Sequence, residues 1–431
     1  MSNENKTIFI QIASYRDPEL PKTVADCIKN AKNPTRLRFG ICRQYSRDDK
    51  GIDGLLDYKE DDRFNIMNVN YRKAKGVCWA RNQVQQLYNG EDYTLQLDSH
   101  HRFAPNWDET LIDMLEGLRE DGHKKPLLTA YAPSFDPDND PKGRTQEAWR
   151  MDFDRFIPEG AVFFLPATIE GWRDMDKPVP SRFYSAHMCF ADGCFAEEVQ
   201  HDPEYYFHGE EISIAVRAYT HGYDLFHPHR PVIWHEYTRK GRTKHWDDHT
   251  GKEGTTNWGK TNTESHKRNR KLFEMDGLEK DIDFGKYDFG TERTLRDYEK
   301  YSGLCFKNRG VQKHTNDRKY PPNPEVPDEE FEDSCMTIFK HCIDVGFSTL
   351  PEEDYDFWCV VFKDRKGEDI YRKDADKSEI QRMRNDPDKY FKIWREFNTK
   401  EPPASWLVWP HSESKGWCDQ VTGTLNHNTV S

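Results

Sequence analysis

Long apolar runs are missing from this chain of 431 residues. No stretch approaches the ~18 consecutive apolar residues of a membrane-spanning helix, so no span is expected. Hydrophobic residues make up 35% and charged residues 32%, with a mean hydropathy of −1.00. The ten cysteines are scattered, and none form a C-x-x-C pair; Cys189 and Cys194, and Cys335 and Cys342, are the nearest neighbours. That spacing excludes zinc ribbons and a small disulfide framework. The amino terminus, "MSNENKTIFIQIASY", lacks the cationic start and apolar core of a secretory signal. A cytoplasmic location is therefore the expectation. A surplus of positive charge is absent too. The formal net charge of −13 argues against nucleic acid or an anionic membrane as the main partner.

Aromatic residues, by contrast, reach 13%, which separates the chain from disordered sequences. The first hundred residues alternate two periodicities. "TIFIQIAS" is nearly all apolar, as in a strand buried on both faces, and "RLRFGICRQ", "FNIMNVNY" and "YTLQL" read as three more strands. Between them, Leu20, Val24, Cys27 and Ile28 fall on one helical stripe, and Val77, Ala80, Val84 and Leu87 on another. Asn106 and Glu109 stand at capping-box spacing before the helix "TLIDMLEGL". This order predicts an α/β fold with an open, mostly parallel sheet, whose ligands bind beyond the carboxyl ends of the strands. "AVFFLPATI" and "SAHMCFADG" are further strands, 133–146 is a surface loop, and "GEEISIAVRAYT" is a helix. Residues 240–300 show no clear period and read as loops, with a lid among them. The Pro- and acid-rich stretch 320–333 marks a boundary, giving domains 1–325 and 326–431. The second is a smaller unit of mixed α/β character, with a helical insert at "SEIQRMRNDPDKYFKIWREF". It is expected to be an accessory region that binds a second substrate or supports oligomerisation, and its Trp358, Trp406, Trp409 and Trp417 suit core packing better than stacking on a ligand.

"YTLQLDSHHRF" poses the functional question, because a core strand runs straight into Asp98, His100 and His101. Asp98 and His100, two apart, suit a divalent cation of the Mn²⁺ or Zn²⁺ type, or a plain surface turn. His235 in "RPVIWHEYTR" is the best third ligand, ahead of His187, His208 and His227. Glu210 and Glu211 open a helix, where they either complement its dipole or face a substrate hydroxyl. "ASYRDP" and "KGVCWARN" contribute polar residues: Ser14 and Tyr15 are polar groups for a nucleotide ligand, while Arg16, Arg72 and Arg81 suit nucleotide phosphates or the Asp98 carboxylate. Neither stretch matches the dinucleotide or P-loop fingerprints.

Taken in order, "IFIQIASYRDPEL", "LQLDSHHRF", "FADG", "HGEEISIAVRAYTHGYDLFHP", "WHEYTR" and "GTERTLRDYEKYSG" resemble an N-acetylglucosaminyltransferase family over roughly residues 6–305. Its eukaryotic members are cytoplasmic enzymes that attach GlcNAc to hydroxyproline of a ubiquitin-ligase subunit. A fainter similarity runs to the polypeptide N-acetylgalactosaminyltransferases. The resemblance implies a GT-A-type fold, a UDP-sugar donor, a glycan or protein hydroxyl acceptor, and Mn²⁺ or Mg²⁺. It carries Asp98, His100 and His235 over as metal ligands, and Asp192 and Gly193 as the small turn under the donor sugar. Glu210 and Glu211 become the acidic pair facing donor and acceptor, with retention of anomeric configuration. The alternative is a non-catalytic nucleotide-sugar or glycan-binding protein of the same fold. A two-metal phosphohydrolase would need denser Asp/His clustering.

Overall fold

The computed structural model describes residues 6–49, 58, 60–157, 159–238, 241–252, 254–350, 354–385, 387–400 and 403–425. The chain divides into two compact units, residues 1–307 with 314–325, and 308–313 with 326–431.

The first unit begins β1 (Ile8–Tyr15), α1 (Leu20–Asn30), β2 (Leu37–Tyr45), β3 (Phe64–Asn70), α2 (Val77–Gln85) and β4 (Tyr93–Leu97). Next come β5 (His101–Phe103), α3 (Trp107–Glu120), β6 (Pro126–Thr129), β7 (Trp149–Phe156), β8 (Val162–Thr168) and β9 (Val179–Pro180). Then follow β10 (Met188–Asp192), α4 (Phe195–Glu198), α5 (Glu210–Thr220), β11 (Asp224–His227), β12 (Ile233–His235), α6 (His245–Asp248) and α7 (Trp258–Leu272). Eight strands form one sheet in the order β3-β2-β1-β4-β10-β6-β11-β9. β1 to β4 run parallel, whereas β10 is antiparallel to both neighbours. Ile8, Ile10, Ile12, Leu95 and Leu97 are fully buried, which accounts for the continuous apolar runs. β12 and β5 form a separate two-stranded sheet.

Three expectations change. The stretch 240–300 contains α7, whose inward stripe is polar (Ser265, His266, Asn269, with Leu272), so apolar periodicity does not reveal it. Its cap is the Asn257 side chain, which accepts from the Lys260 amide at 3.0 Å. Asn106 makes no capping box, since it sits at φ +60° without a side-chain cap. Asp108 instead accepts from the Lys32 and Asn33 amides, and Glu109 pairs with Arg36. In the second unit the proposed helical insert stops at Met383, and Tyr390–Thr399 is a strand. Phe391, Ile393, Arg395 and Phe397 are buried at every second position, the strand period.

That second unit is built on antiparallel pairings. Cys335–Gly346 pairs with Tyr390–Thr399, and Tyr355–Lys363 pairs with Ser405–Ser412. Trp358, Phe362, Ile393 and Val408 fill its core. The Trp409 and Trp417 rings lie against each other with centroids 4.3 Å apart and planes tilted by 33°.

Candidate active site

β4 ends at Leu97, and α1 pins the turn that follows. Thr23 Oγ1 donates to the Ser99 carbonyl at 2.9 Å and accepts from the His101 amide at 2.9 Å. His101 is fully buried, and its Nε2 accepts from the Asp98 amide at 3.3 Å. Burial lowers its pKa to about 3, so this imidazole is a neutral strut. β12 pairs with β5 so that His235 lies opposite His101, and His235 Nε2 comes within 3.3 Å of Asp98 Oδ2. β10 places Met188 opposite Leu97, and one further step of that register sets His187 beside Asp98. The His187 and His235 rings stack with centroids 4.2 Å apart. Ligand atoms of Asp98, His187 and His235 all lie within 4.8 Å of one another.

The donor chemistry fits a divalent transition metal. Donors about 2.1 Å from one ion at right angles lie about 3 Å apart, close to the Asp98–His235 separation. Burial opposes the Asp98 charge, but Arg81 and the two nearby histidines, His235 and His100, outweigh it and hold the pKa well below the carboxylate range. Burial keeps His235 neutral, and its Nδ1 is buried without a partner. Tyr237 donates to the Ala132 carbonyl at 2.8 Å, so its oxygen accepts from His187 Nδ1 at 3.2 Å, which fixes the lone pair on Nε2. His100 lines the same cavity but is not among the three residues whose donor atoms converge; its Nδ1 is held by Asp17 at 2.7 Å. A carboxylate behind an imidazole is also the arrangement that orients metal-binding histidines.

These groups open into a cavity of about 520 Å³, walled also by Tyr15, Tyr131, Phe163, Trp246 and Glu211. Glu211 accepts from the Ala186 amide at 3.0 Å and from the Tyr131 hydroxyl at 3.2 Å. Burial and the neighbouring Glu210 raise its pKa to about 7. Glu210 differs. Burial again pushes its pKa up, but Arg81, His201 and Cys78 overcome that and bring it to about 2.

The remaining sequence candidates separate. Tyr15 lines the cavity and donates to Asp248 at 2.7 Å. Arg16 bridges Asp49 and Asp248. Ser14 is buried, its carbonyl accepting from Gln44. Arg81 ties Asp98 to Glu210. Asp192 and Gly193 require a correction. Because β10 is antiparallel, its last residue pairs with Tyr93 at the start of β4, so this turn lies at the opposite end of the sheet from Asp98. Asp192 there pairs with Arg119, and a Cβ on Gly193 would meet the Glu91 carbonyl oxygen at 1.8 Å. The same reversal brings the first residues of the strand segment, Ala186 and His187, to the site. His187, a lesser candidate by sequence, is placed beside Asp98 only when "SAHMCFADG" runs antiparallel to "YTLQL".

The glycosyltransferase (GlcNAc) family profile matches residues 7–61 and 56–308. The chain belongs to this family. No curated protein sequence matches this GlcNAc-family chain. Among solved structures it is similar to GalNAc-T7, determined with UDP, GalNAc and Mn²⁺, at a TM-score of 0.47 and 15% identity over 62% of this chain and 48% of that one. It is also similar to the mannosyltransferase PcManGT from Pyrobaculum calidifontis, determined with GDP-Man and Mn²⁺, at a TM-score of 0.35 and 12% identity over 55% and 59%. The GlcNAc-family chain thus spans about half of the GalNAc-T7 chain. Among the described residues, no helix is long and apolar enough to cross a membrane.

Proposed function

We propose that this member of the GlcNAc family is a GT-A-type, metal-dependent transferase moving GlcNAc from UDP to a hydroxyl of a protein or glycan, with retention, in the cytoplasm. The observation that carries this reading is the meeting of Asp98, His187 and His235 in one cavity with Glu211. A divalent ion held by Asp98, His235 and His187 or His100 would neutralise the diphosphate charge as UDP departs. The volume lies in the range of small-ligand sites.

The chain's own groups then divide the work. Tyr15 at the end of β1 and Trp246 offer aromatic surface to the nucleoside. Arg242 and Lys244 line the cavity and supply positive charge on the phosphate side, while Arg242 is braced on Asp17 and Glu236. Arg239 and Lys240 of the same basic stretch lie outside the described residues. Glu211, steadied by Tyr131 and the Ala186 amide, accepts hydrogen bonds from a sugar or acceptor hydroxyl. In a retaining reaction the departing phosphate takes the acceptor proton, so Glu211 orients and need not deprotonate.

The test is UDP release from a panel of UDP-sugars, with and without Mn²⁺, for wild type, Asp98→Ala and His235→Ala. The proposal requires release from UDP-GlcNAc that depends on metal and disappears in both variants. Metal-independent release, or equal release in the variants, contradicts it.

A further inference from the structure

Resting on that reading, we infer that Arg81 is a positioning residue that sets how Asp98 meets the metal, and that Glu210 acts only through Arg81, which leaves Glu211 as the carboxylate that touches substrate.

The oxygens of the three acids are allotted unequally. Arg81 rises from α2 and is buried between two carboxylates. One terminal nitrogen donates to Asp98 Oδ1 at 2.7 Å, and the other is paired with Glu210 Oε1. Asp98 Oδ2 is hydrogen-bonded to His235 Nε2 at 3.3 Å, a contact that a cation shared by the two residues would replace. With Oδ1 bonded to Arg81, Asp98 would offer a cation chiefly its other oxygen. Glu210 is spent on both sides, because Cys78 Sγ donates to its Oε2 at 2.7 Å and His201 Nδ1 stands 3.3 Å from the same oxygen. Glu211, the next residue, has the lighter engagement, with one amide and one phenol.

The planar fork of arginine explains why this residue holds the position. Two terminal nitrogens reach two acids at fixed separation, which the single ammonium of lysine does not reproduce. Outer-sphere partners of ligands of this kind change metal affinity by about 10–100-fold. Arg81 also links α2 to the start of α5, so the helix carrying Glu211 is referenced to the metal ligand.

The experiment compares Arg81→Lys, Glu210→Gln and Glu211→Gln in the full-length chain. Mn²⁺ affinity is read from the electron paramagnetic resonance of free Mn²⁺, and unfolding midpoints are read in metal-free buffer. Arg81→Lys is expected to weaken Mn²⁺ binding by about 10–100-fold. Glu210→Gln should weaken it in the same direction by a smaller factor, and Glu211→Gln should leave it within about twofold while lowering turnover. The double variant Arg81→Lys/Glu210→Gln should unfold at a midpoint that is not the sum of the single shifts. Wild-type Mn²⁺ affinity in Arg81→Lys, or an effect of Glu211→Gln as large as that of Arg81→Lys, overturns the inference. A wild-type chain that binds no Mn²⁺ overturns the proposed function and, with it, the role of Arg81 toward a metal. The midpoints then judge the clamp alone, and additive shifts overturn it.

Discussion

The central sheet carries an arginine–carboxylate contact at each end, and the two are unlike. At the start of β4, Arg119 meets Asp192 with the side chains 34% and 24% exposed. At its finish, Arg81 meets Glu210 and Asp98 with exposures of 4%, 7% and 16%. The first pair is partly exposed, and solvent screening there reduces a salt bridge to about 0–1 kcal/mol. The second is dry, so each charge depends on its partner, and losing one leaves another stranded at a cost of about 3–5 kcal/mol. What separates them is the oxygen that Arg81 leaves on Asp98, with His235 of β12 and His187, in the turn ahead of β10, beside it. A buried acid with one oxygen tied and one presented to a cavity is equipped for chemistry. An acid satisfied at the surface is equipped for packing.

The sharpest way to break this contrast is Asp98→Ala, expected to reduce metal-dependent turnover by at least about a thousandfold, in line with the several kcal/mol that a metal supplies to a departing diphosphate. Sugar-release assays at saturating Mn²⁺ check it. Next come single alanines at His235, His187 and His100. His235→Ala should cost most; if the converged trio is the ligand set, His187→Ala should weaken Mn²⁺ by more than His100→Ala, which removes a neighbour. The reverse order assigns His100 to the metal.

A pH series sharpens the account of the glutamates. Glu211, with its pKa raised to about 7, is a neutral acid below that pH and a carboxylate above it, so an accepting role gives activity that rises through pH 7. Glu211→Gln should flatten that limb. The stability sign follows. Between its ordinary 4.5 and about 7 the native state keeps a proton that the unfolded chain has lost, so native stability falls as pH rises across that window. Glu211→Gln should therefore gain stability relative to wild type over the same range, measurable in urea melts. Glu210 has the opposite sign, since its contribution is present above 4.5 and is lost as pH falls toward 2. The smallest effect belongs to the other end of the sheet. Arg119→Ala should change stability by no more than about 1 kcal/mol and leave turnover intact.

Much of this molecule was legible in the order of its residues. The buried strands β1 and β4, the stripe on α1 and the sequence D-S-H at a strand end placed a polar site at the carboxyl edge of a mostly parallel sheet. Strand direction was not legible, because "SAHMCFADG" has the same apolar pattern either way. That one ambiguity left His187 ranked behind His235 as a bare competitor and sent Asp192 and Gly193 to the wrong edge. Helix α7 stayed hidden because its inward face is polar and its contacts are hydrogen bonds. The unequal fates of Glu210 and Glu211 needed coordinates, since neighbours in sequence point about 100° apart on a helix and only one meets Arg81.

The central claim is that Asp98, through the one oxygen left to it, makes nucleotide binding depend on metal. Calorimetric titration of UDP into wild type and Asp98→Asn, with and without Mn²⁺, tests it directly. The account predicts UDP binding strengthened by Mn²⁺ in wild type and indifferent to Mn²⁺ in the variant. Equal Mn²⁺ enhancement in both proteins, or UDP binding that ignores Mn²⁺ in wild type, would contradict it.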